Sequence, residues 1–482
     1  MIDLRPVGYV IGLLVAALGV SMLVPMLVDV WADNGHAGVF LESAILTTMT
    51  GGLISLACAN AVTGKMKLQQ IFLIASGVWA VLPIFGAIPF IQGATEASLT
   101  DAYFEAMSGL TTTGSTVFTG LDNLPAGLLL WRSMLQWFGG IGIIVVAMAF
   151  LPELRVGGMQ IFRSEAFDTA GKVLPRAAEI ASRISIVYVA LTVFCIMAYI
   201  MTGMGLFDAV NHALTSLSTG GFSTRDASFG AFQGTAEYVA AVFMVLASLP
   251  FVRYVQMLAG NSRPLFRDSQ VQVFFAMTFL LVITLTLYRL FANKDDFFHA
   301  LREATFNVTS ILTGTGYASV DYQLWGAFPV AIFFFVGLIG GCSGSTCCSV
   351  KIFRYQIMAT AIANQIRRIH SPHGVFQPKY EGQTLTEDVI SSVTAFMTLF
   401  FVTLGILAVL LSATGLDFVT SVSGAATAIA NIGPGLGDII GPAGNFSTLN
   451  DPAKWILIFG MLIGRLELMV VFVLFTTRFW RT

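Results

Sequence analysis

Runs of about 20 apolar residues recur roughly ten times along this chain, and a bilayer core of ~30 Å is crossed by just such a length of helix. The runs lie near 7–30, 39–63, 68–92, 125–151, 179–203, 234–260, 270–293, 325–365, 388–414 and 453–480. Only 11% of the 482 residues are charged, about half the usual share of a soluble domain, so the pattern reads as an all-α polytopic membrane protein. With 25 Lys+Arg against 27 Asp+Glu, the chain carries no electrostatic footprint for nucleic acid. The apolar run from Val7 to Val30 is too long for a signal-peptide core and is expected to stay as the first span. Five cysteines, Cys58, Cys195, Cys342, Cys347 and Cys348, are odd in number and mostly inside apolar runs, so they read as small core residues rather than a disulfide framework.

Lys and Arg collect in alternate loops. Lys65 and Lys67 stand in one; Arg155, Arg163, Lys172 and Arg176 in the next; Arg253, Arg263 and Arg267 in a third; Arg367, Arg368 and Lys379 in a fourth. These loops are expected on the cytoplasmic side, with both termini, while the segments between them, such as 91–124, dip in from outside.

Each outer segment holds a moderately apolar stretch too short to span, followed by a polar turn with a glycine. Aligned on Gly114, Gly221, Gly316 and Gly433, the segments form a repeat spaced by 95–117 residues. Six positions earlier stand Ser108, Thr215, Ser310 and Thr427, always a hydroxyl; four earlier stand Leu110, Leu217, Leu312 and Ile429, always aliphatic. Thirteen earlier stand Asp101, Asp208, Glu303 and Thr420, suited to the first turn of a short helix, where the dipole favours negative charge. The expected architecture is four copies of span, short helix, turn, span, preceded by one extra helix pair. The divisions are 1–65 for the pair, then 66–178, 179–267, 268–386 and 387–482 for the repeats.

Irregular backbone at membrane depth cannot face lipid, because unpaired carbonyls cost several kcal/mol each there, so the turns are expected to line a water-filled path. Four turns around one axis would aim carbonyl oxygens at a point where a cation's hydration shell can be replaced. Four helix C-termini of about half a negative charge each would favour a cation over an anion. The turns read Thr112-Thr113-Gly114-Ser115, Thr219-Gly220-Gly221-Phe222, Gly314-Thr315-Gly316-Tyr317 and Asn431-Ile432-Gly433-Pro434, none with an acidic side chain. The third nearly copies the TVGYG filter of potassium channels.

These turns, with "WRSMLQWFGGIGIIVVAMAFLPELRVGGMQIFRSE", "STGGFSTRD", "GGCSGSTCCSVKIFR" and "MLIGRLELMVVFVLF", make the chain resemble the Trk/Ktr/HKT superfamily of potassium transporters along essentially its whole length, and within it the TrkH type. The resemblance implies potassium uptake through one pseudo-fourfold pore, K⁺ as the transported ion without an organic cofactor, and a homodimer in the lipid of the bacterial cytoplasmic membrane. It also implies control by a cytosolic, nucleotide-binding TrkA-type subunit, for which the basic loops at 152–178 and 366–386 form a plausible docking face. Glycine at the shared column of all four repeats goes with potassium selectivity in that superfamily.

The eighth apolar segment would be ~60 Å long as one helix, twice the bilayer core, and is expected to break at Gly340 to Lys351. That break, with Gly340, Gly341, Gly344 and Ser345, is a candidate gate; in TrkH-type relatives the matching loop plugs the pore from inside. Cys347, Cys348 and Ser349 depart from the relatives' glycines there. Arg465, in the last span, is costly near the bilayer centre and should face the pore or a partner; the resemblance implies a positive barrier under the filter there, the alternative being an ion pair with Glu467 or another buried acid. Lys351 reads equally as a gating or an interfacial lysine.

Other signals are weaker. "GSTC" at 344–347 lacks the lysine of a phosphate loop, and His370 and His373 lack companions at metal spacing. Glu105, His212 and Asn307 share one helix column, which favours packing over acid–base chemistry, and the phenylalanines of 333–335 read as lipid-facing. An intramembrane protease would need a Ser–His or paired-Asp constellation in the spans, and the sequence offers none. A less selective Na⁺/K⁺ pathway or symporter is the nearest alternative, because Gly220, Asn431 and Pro434 depart from TVGYG; a non-conducting sensor is the third.

Overall fold

A computed structural model of the chain describes residues 3–61, 67–149 and 173–481. The protein is an all-α polytopic membrane protein. Among the described residues, six helices are long and apolar enough to cross a bilayer: Arg5–Trp31, Ala37–Cys58, Leu68–Gln92, Ala181–Met201, Ser269–Asn293 and Glu387–Ala413. The one two-stranded sheet among them, Lys379–Tyr380 paired with Gln383–Thr384, lies in a loop. Lys65, Arg155, Arg163, Lys172 and most of the loop 152–178 fall outside the described residues.

The N-terminal pair is α1 (Arg5–Ser21), continued by α2 (Leu23–Trp31), against α3 (Ala37–Cys58). Small residues let the two backbones touch: a methyl on Gly51 would lie 2.3 Å from the Ala16 nitrogen, and one on Gly12 2.7 Å from the Ser55 nitrogen. Then come α4 (Leu68–Gly86), α5 (Ile88–Gln92), the short α6 (Leu99–Leu110) and α7 (Ala126–Ala149). The order recurs as α8 (Val173–Met201), the short α9 (Leu206–Leu217), α10 (Thr235–Ala247) and α11 (Phe251–Leu258). After α12 (Arg263–Arg267) it recurs as α13 (Ser269–Tyr288), the short α14 (Phe297–Leu312), α15 (Ala327–Gly337) and α16 (Ile352–His370). The last set is α17 (Glu387–Ala413), the short α18 (Phe418–Ala430), α19 (Asp451–Arg465), α20 (Met469–Leu474) and α21 (Thr477–Trp480).

Side-chain caps start three of the four short helices. Ser98 accepts from the Asp101 N–H, Asp296 from Phe298 and Asp417 from Thr420, satisfying donors with no intrahelical partner. Asp101, Asp208 and Thr420 stand in first turns as the sequence suggests, but Glu303 does not. Asp296 starts α14 a turn and a half earlier, and Glu303 instead pairs with Arg289 at 2.6 Å.

Three apolar runs do not form single spans. The sixth bends by 88° between α10 and α11, where Pro250 supplies no N–H and restricts Leu249. The eighth breaks between Gly337 and Ile352, as expected of its length. The tenth, read as one span over 453–480, ends at Arg465, because Glu467 and Leu468 turn left-handed (φ 59° and 33°) before α20 begins. The phenylalanines of 333–335 divide: Phe335 is exposed on the helix surface, whereas Phe333 is buried against Tyr322 with ring centroids 4.2 Å apart.

Candidate functional site

Each short helix leaves its axis in the same way. The N–H of the residue before the shared glycine folds back onto the hydroxyl-column carbonyl: Thr113 to Ser108, Gly220 to Thr215 and Thr315 to Ser310 at 2.9 Å, and Ile432 to Thr427 at 3.2 Å. The residue before that one is left-handed in all four turns, with φ of 52° at Thr112, 50° at Thr219, 71° at Gly314 and 51° at Asn431. The shared glycines are left-handed again, at 86°, 77°, 82° and 106° for Gly114, Gly221, Gly316 and Gly433.

The four turns close a ring in sequence order. A methyl on Gly114 would lie 2.2 Å from the Gly220 carbonyl oxygen, one on Gly221 1.9 Å from that of Thr315, one on Gly316 1.8 Å from that of Ile432, and one on Gly433 2.9 Å from that of Thr113. Each repeat thus abuts the carbonyl that precedes the next repeat's glycine, and the fourth returns to the first. Against the ring lies a cavity of about 190 Å³ lined by all four glycines together with Ser115, Phe222, Pro434 and the charged Arg132 and Arg225. Four helix C-termini converging on a carbonyl ring make a place where a cation without its water is stabilised and an anion repelled.

Side chains brace the strands beyond the glycines. Glu105 accepts from the Val117 N–H at 2.9 Å and from the Thr116 hydroxyl. His212 meets the Ser223 hydroxyl at 3.0 Å, and Asn307 meets Ser319 through both its amide atoms. The shared column is structural, as its residue types suggest. In the fourth repeat Ser423, one residue earlier, bonds both backbone groups of Leu436. The Ser115 hydroxyl donates to the Gly433 carbonyl at 2.9 Å, and the buried Tyr317 hydroxyl is held by Thr215, Ser216 and the His212 carbonyl. Two polar residues of α7, which the sequence marks only as members of the longer motif that begins "WRSMLQW", tie the first and second turns together. Arg132 donates to Glu105 at 2.8 Å and to the Ser223 carbonyl at 2.9 Å, and lies 4.2 Å over the Phe222 ring. Gln136 bonds the backbone on both sides of Gly221. Their only trace in the sequence is two polar residues inside the apolar run "WRSMLQW".

Beneath the ring runs the segment from Gly340 to Lys351. It joins a parallel bridge, Ile339 to Val350, and then touches every repeat. The Cys348 Sγ stands 3.5 Å from the Thr112 hydroxyl, Cys347 donates to the Thr313 carbonyl, and the Ser349 N–H donates to the Ala430 carbonyl at 3.0 Å. On the second repeat it repairs the broken span: Cys342 N–H donates to the Ser248 carbonyl at 3.0 Å, Thr346 to that of Ala247, and Gly344 accepts from the Phe251 N–H at 3.0 Å. Helix-end groups that the bend at Pro250 would leave bare in hydrocarbon are satisfied by this loop. Gly341 packs on Cys347, and Ser345 donates to the Cys342 carbonyl.

Arg465 does not pair with Glu467. Its guanidinium donates to the Cys348 sulfur and, at 2.9 Å, to the Gly139 carbonyl, while Glu467 binds Arg354. The Lys351 ammonium turns inward to the Cys347 carbonyl. His370 and His373 are exposed, and the described residues contain no group of three or more His, Cys, Asp or Glu side chains placed to hold a metal.

The comparisons with known proteins agree over the whole chain. A family model described as TrkH, cation transport protein, matches residues 36–481. The chain is 44% identical over 478 residues to the Trk system potassium uptake protein TrkI of Halomonas elongata, covering 99% of this chain and 97% of that protein. It is 35% identical over 483 residues to the Trk system potassium uptake protein TrkH of Escherichia coli K12, covering 99% of each. Its fold superposes on the crystal structure of the potassium transporter TrkH from Vibrio parahaemolyticus with a TM-score of 0.92, at 32% identity and full coverage of both chains.

Proposed function

The chain belongs to the TrkH family of cation transport proteins, and from that premise we propose that it carries potassium into the cell across the bacterial inner membrane through a filter made by its four turns. The filter residues are Thr112 to Ser115, Thr219 to Phe222, Gly314 to Tyr317 and Asn431 to Pro434. The single observation that supports this reading most is the ring of glycine-to-carbonyl contacts, 114 to 220, 221 to 315, 316 to 432 and 433 back to 113. It sets four backbone carbonyls from one chain about a common point without an acidic side chain among them. Neutral carbonyl dipoles can replace the weakly held water of K⁺ at little cost, whereas a fixed ring of that kind serves the smaller, more tightly hydrated Na⁺ less well.

The loop 340–351, with Lys351 and Arg465, is the gate in this reading. It crosses below the ring, touches all four repeats and sets a guanidinium on the ion's path. Relatives named for a Trk system imply other components, and a cytosolic nucleotide-binding subunit of the TrkA type would act on the gate from the inside, where both termini lie. Assembly as a homodimer, and the divisions at 65, 178, 267 and 386, complete the proposal; this chain itself needs no organic cofactor. Complementation tests it. In a strain lacking its own potassium uptake, the chain restores growth at low K⁺ when the regulatory subunit is present. In vesicles Rb⁺ and K⁺ flux exceeds Na⁺ flux; a preference for Na⁺ would overturn the filter assignment.

A further inference from the structure

Gln136 is fully buried in α7, and its amide lies across the second turn. Its Nε2 donates to the Gly220 carbonyl at 2.6 Å, and its Oε1 accepts from the Phe222 N–H at 3.0 Å, so the two bonds straddle the shared glycine, Gly221. The fit against Gly220 is tight. A methyl there would fall 2.3 Å from the Gln136 Cδ and 2.4 Å from its Oε1. Gly220 has no left-handed φ, so the amide of Gln136, and not the backbone, excludes a side chain.

The same column holds side chains in the other repeats, and these side chains themselves anchor their turns. The Thr113 hydroxyl bonds Thr111 and accepts from Asn431, the Thr315 hydroxyl bonds Thr313, and Ile432 packs toward Gly337. The second turn has no such side chain, and a residue 84 positions away in the sequence takes its place. The Gly220 carbonyl is also the ring oxygen that meets Gly114. A carbonyl has two lone pairs, and here one is already taken by a donor from behind. That donor fixes the oxygen's direction and lowers what it can offer an ion.

We propose that Gln136 is a selectivity-determining positioning residue, which holds the Gly220 and Phe222 backbone so that the second quarter of the ring cannot draw in around a smaller ion. This rests on the potassium-filter reading. Removing the donor frees the Gly220 oxygen to approach a smaller cation, so discrimination falls while conduction persists.

The test is flux in liposomes containing the purified full chain, with K⁺, Rb⁺ and Na⁺ measured separately. Gln136→Leu and Gln136→Met each roughly keep the volume and remove both bonds. In both, the K⁺ to Na⁺ ratio is expected to fall by roughly five- to tenfold, the scale of one buried hydrogen bond. An unchanged ratio in a well-folded Gln136→Leu overturns the proposal. Should the leucine variant fail to fold, the interlock is read from the pair: Gly220→Ala abolishes uptake, and adding Gln136→Ala restores part of it. Failure of Gln136→Ala to relieve Gly220→Ala also overturns the proposal. A wild-type chain with no preference for K⁺ refutes the filter reading instead, so the two failures are distinct.

Discussion

Arg465 and Cys348, 117 residues apart, meet directly below the ring, guanidinium to sulfur, and a second arm of the same guanidinium holds the Gly139 carbonyl. Glu467, two residues along, is turned away by the left-handed backbone at 467–468 and neutralises Arg354 instead. The positive charge of Arg465 is therefore balanced by dipoles alone among its described contacts, and in the proposed pathway it faces any cation that leaves the ring. Replacing Arg465 by glutamine is expected to raise unstimulated Rb⁺ flux roughly tenfold, a barrier change of ~1.4 kcal/mol at one charge. Replacing Cys348 by serine keeps an acceptor for the guanidinium and should leave flux within about twofold, as ⁸⁶Rb⁺ uptake would show.

The four ring glycines should not be equally sensitive. Methyl groups at Gly316 and Gly221 meet carbonyl oxygens at 1.8 and 1.9 Å, at Gly114 at 2.2 Å, and at Gly433 only at 2.9 Å. Alanine adds ~1–2 kcal/mol of left-handed strain at each, and overpacking adds ~1–3 kcal/mol where the contact is closest. Uptake is expected to be lost in Gly316→Ala and Gly221→Ala, reduced in Gly114→Ala, and best retained in Gly433→Ala. A side-by-side complementation series reads the order, and equal loss at all four positions would contradict it.

Arg132 and Glu105 form a buried ion pair at 2.8 Å, with side chains 1% and 0% exposed. Removing one partner strands the other charge and is expected to cost about 3–5 kcal/mol. Arg132→Met and Glu105→Gln should each lower the melting temperature in detergent more than the double replacement does. Arg132→Lys should not rescue, because one ammonium cannot reach Glu105, Ser223 and the Phe222 ring together.

Outside the membrane, Asp122 accepts from the Asp226 N–H and from Arg225, and these bonds hold its carboxyl below the usual aspartate range. A folded-state value below the unfolded one means stabilisation that is complete above the unfolded value and fades as pH falls through the folded one. Asp122→Asn should therefore lower the melting temperature slightly and evenly between pH 5 and 8, and the gap from wild type should close only in acid, below about pH 4. Melting curves across that range check the sign.

The spans, the short helices and the glycine column were legible because each is a local pattern: a length of apolar residues, a hydroxyl, an aliphatic and a glycine at fixed offsets. What escaped depends on partners far away in the chain. Arg132 and Gln136 are plain polar residues until the turn of the next repeat, 84 to 91 residues on, is folded against them. The end of the last span escaped for a related reason, since Arg465 and Glu467 look like a natural pair in sequence and are separated only by backbone that twists to serve two different partners. Glu303 was misplaced because a nearer cap, Asp296, starts its helix first.

The ring closes within one polypeptide, and that fixes its stoichiometry. A channel assembled from four identical subunits carries any replacement four times, and mixed with normal copies it yields a spread of intermediate rings. Here a replacement alters one quarter only, always the same quarter, in every molecule made. Each turn is consequently free to drift on its own, and the four unlike sequences around this ring are what such independent inheritance leaves behind.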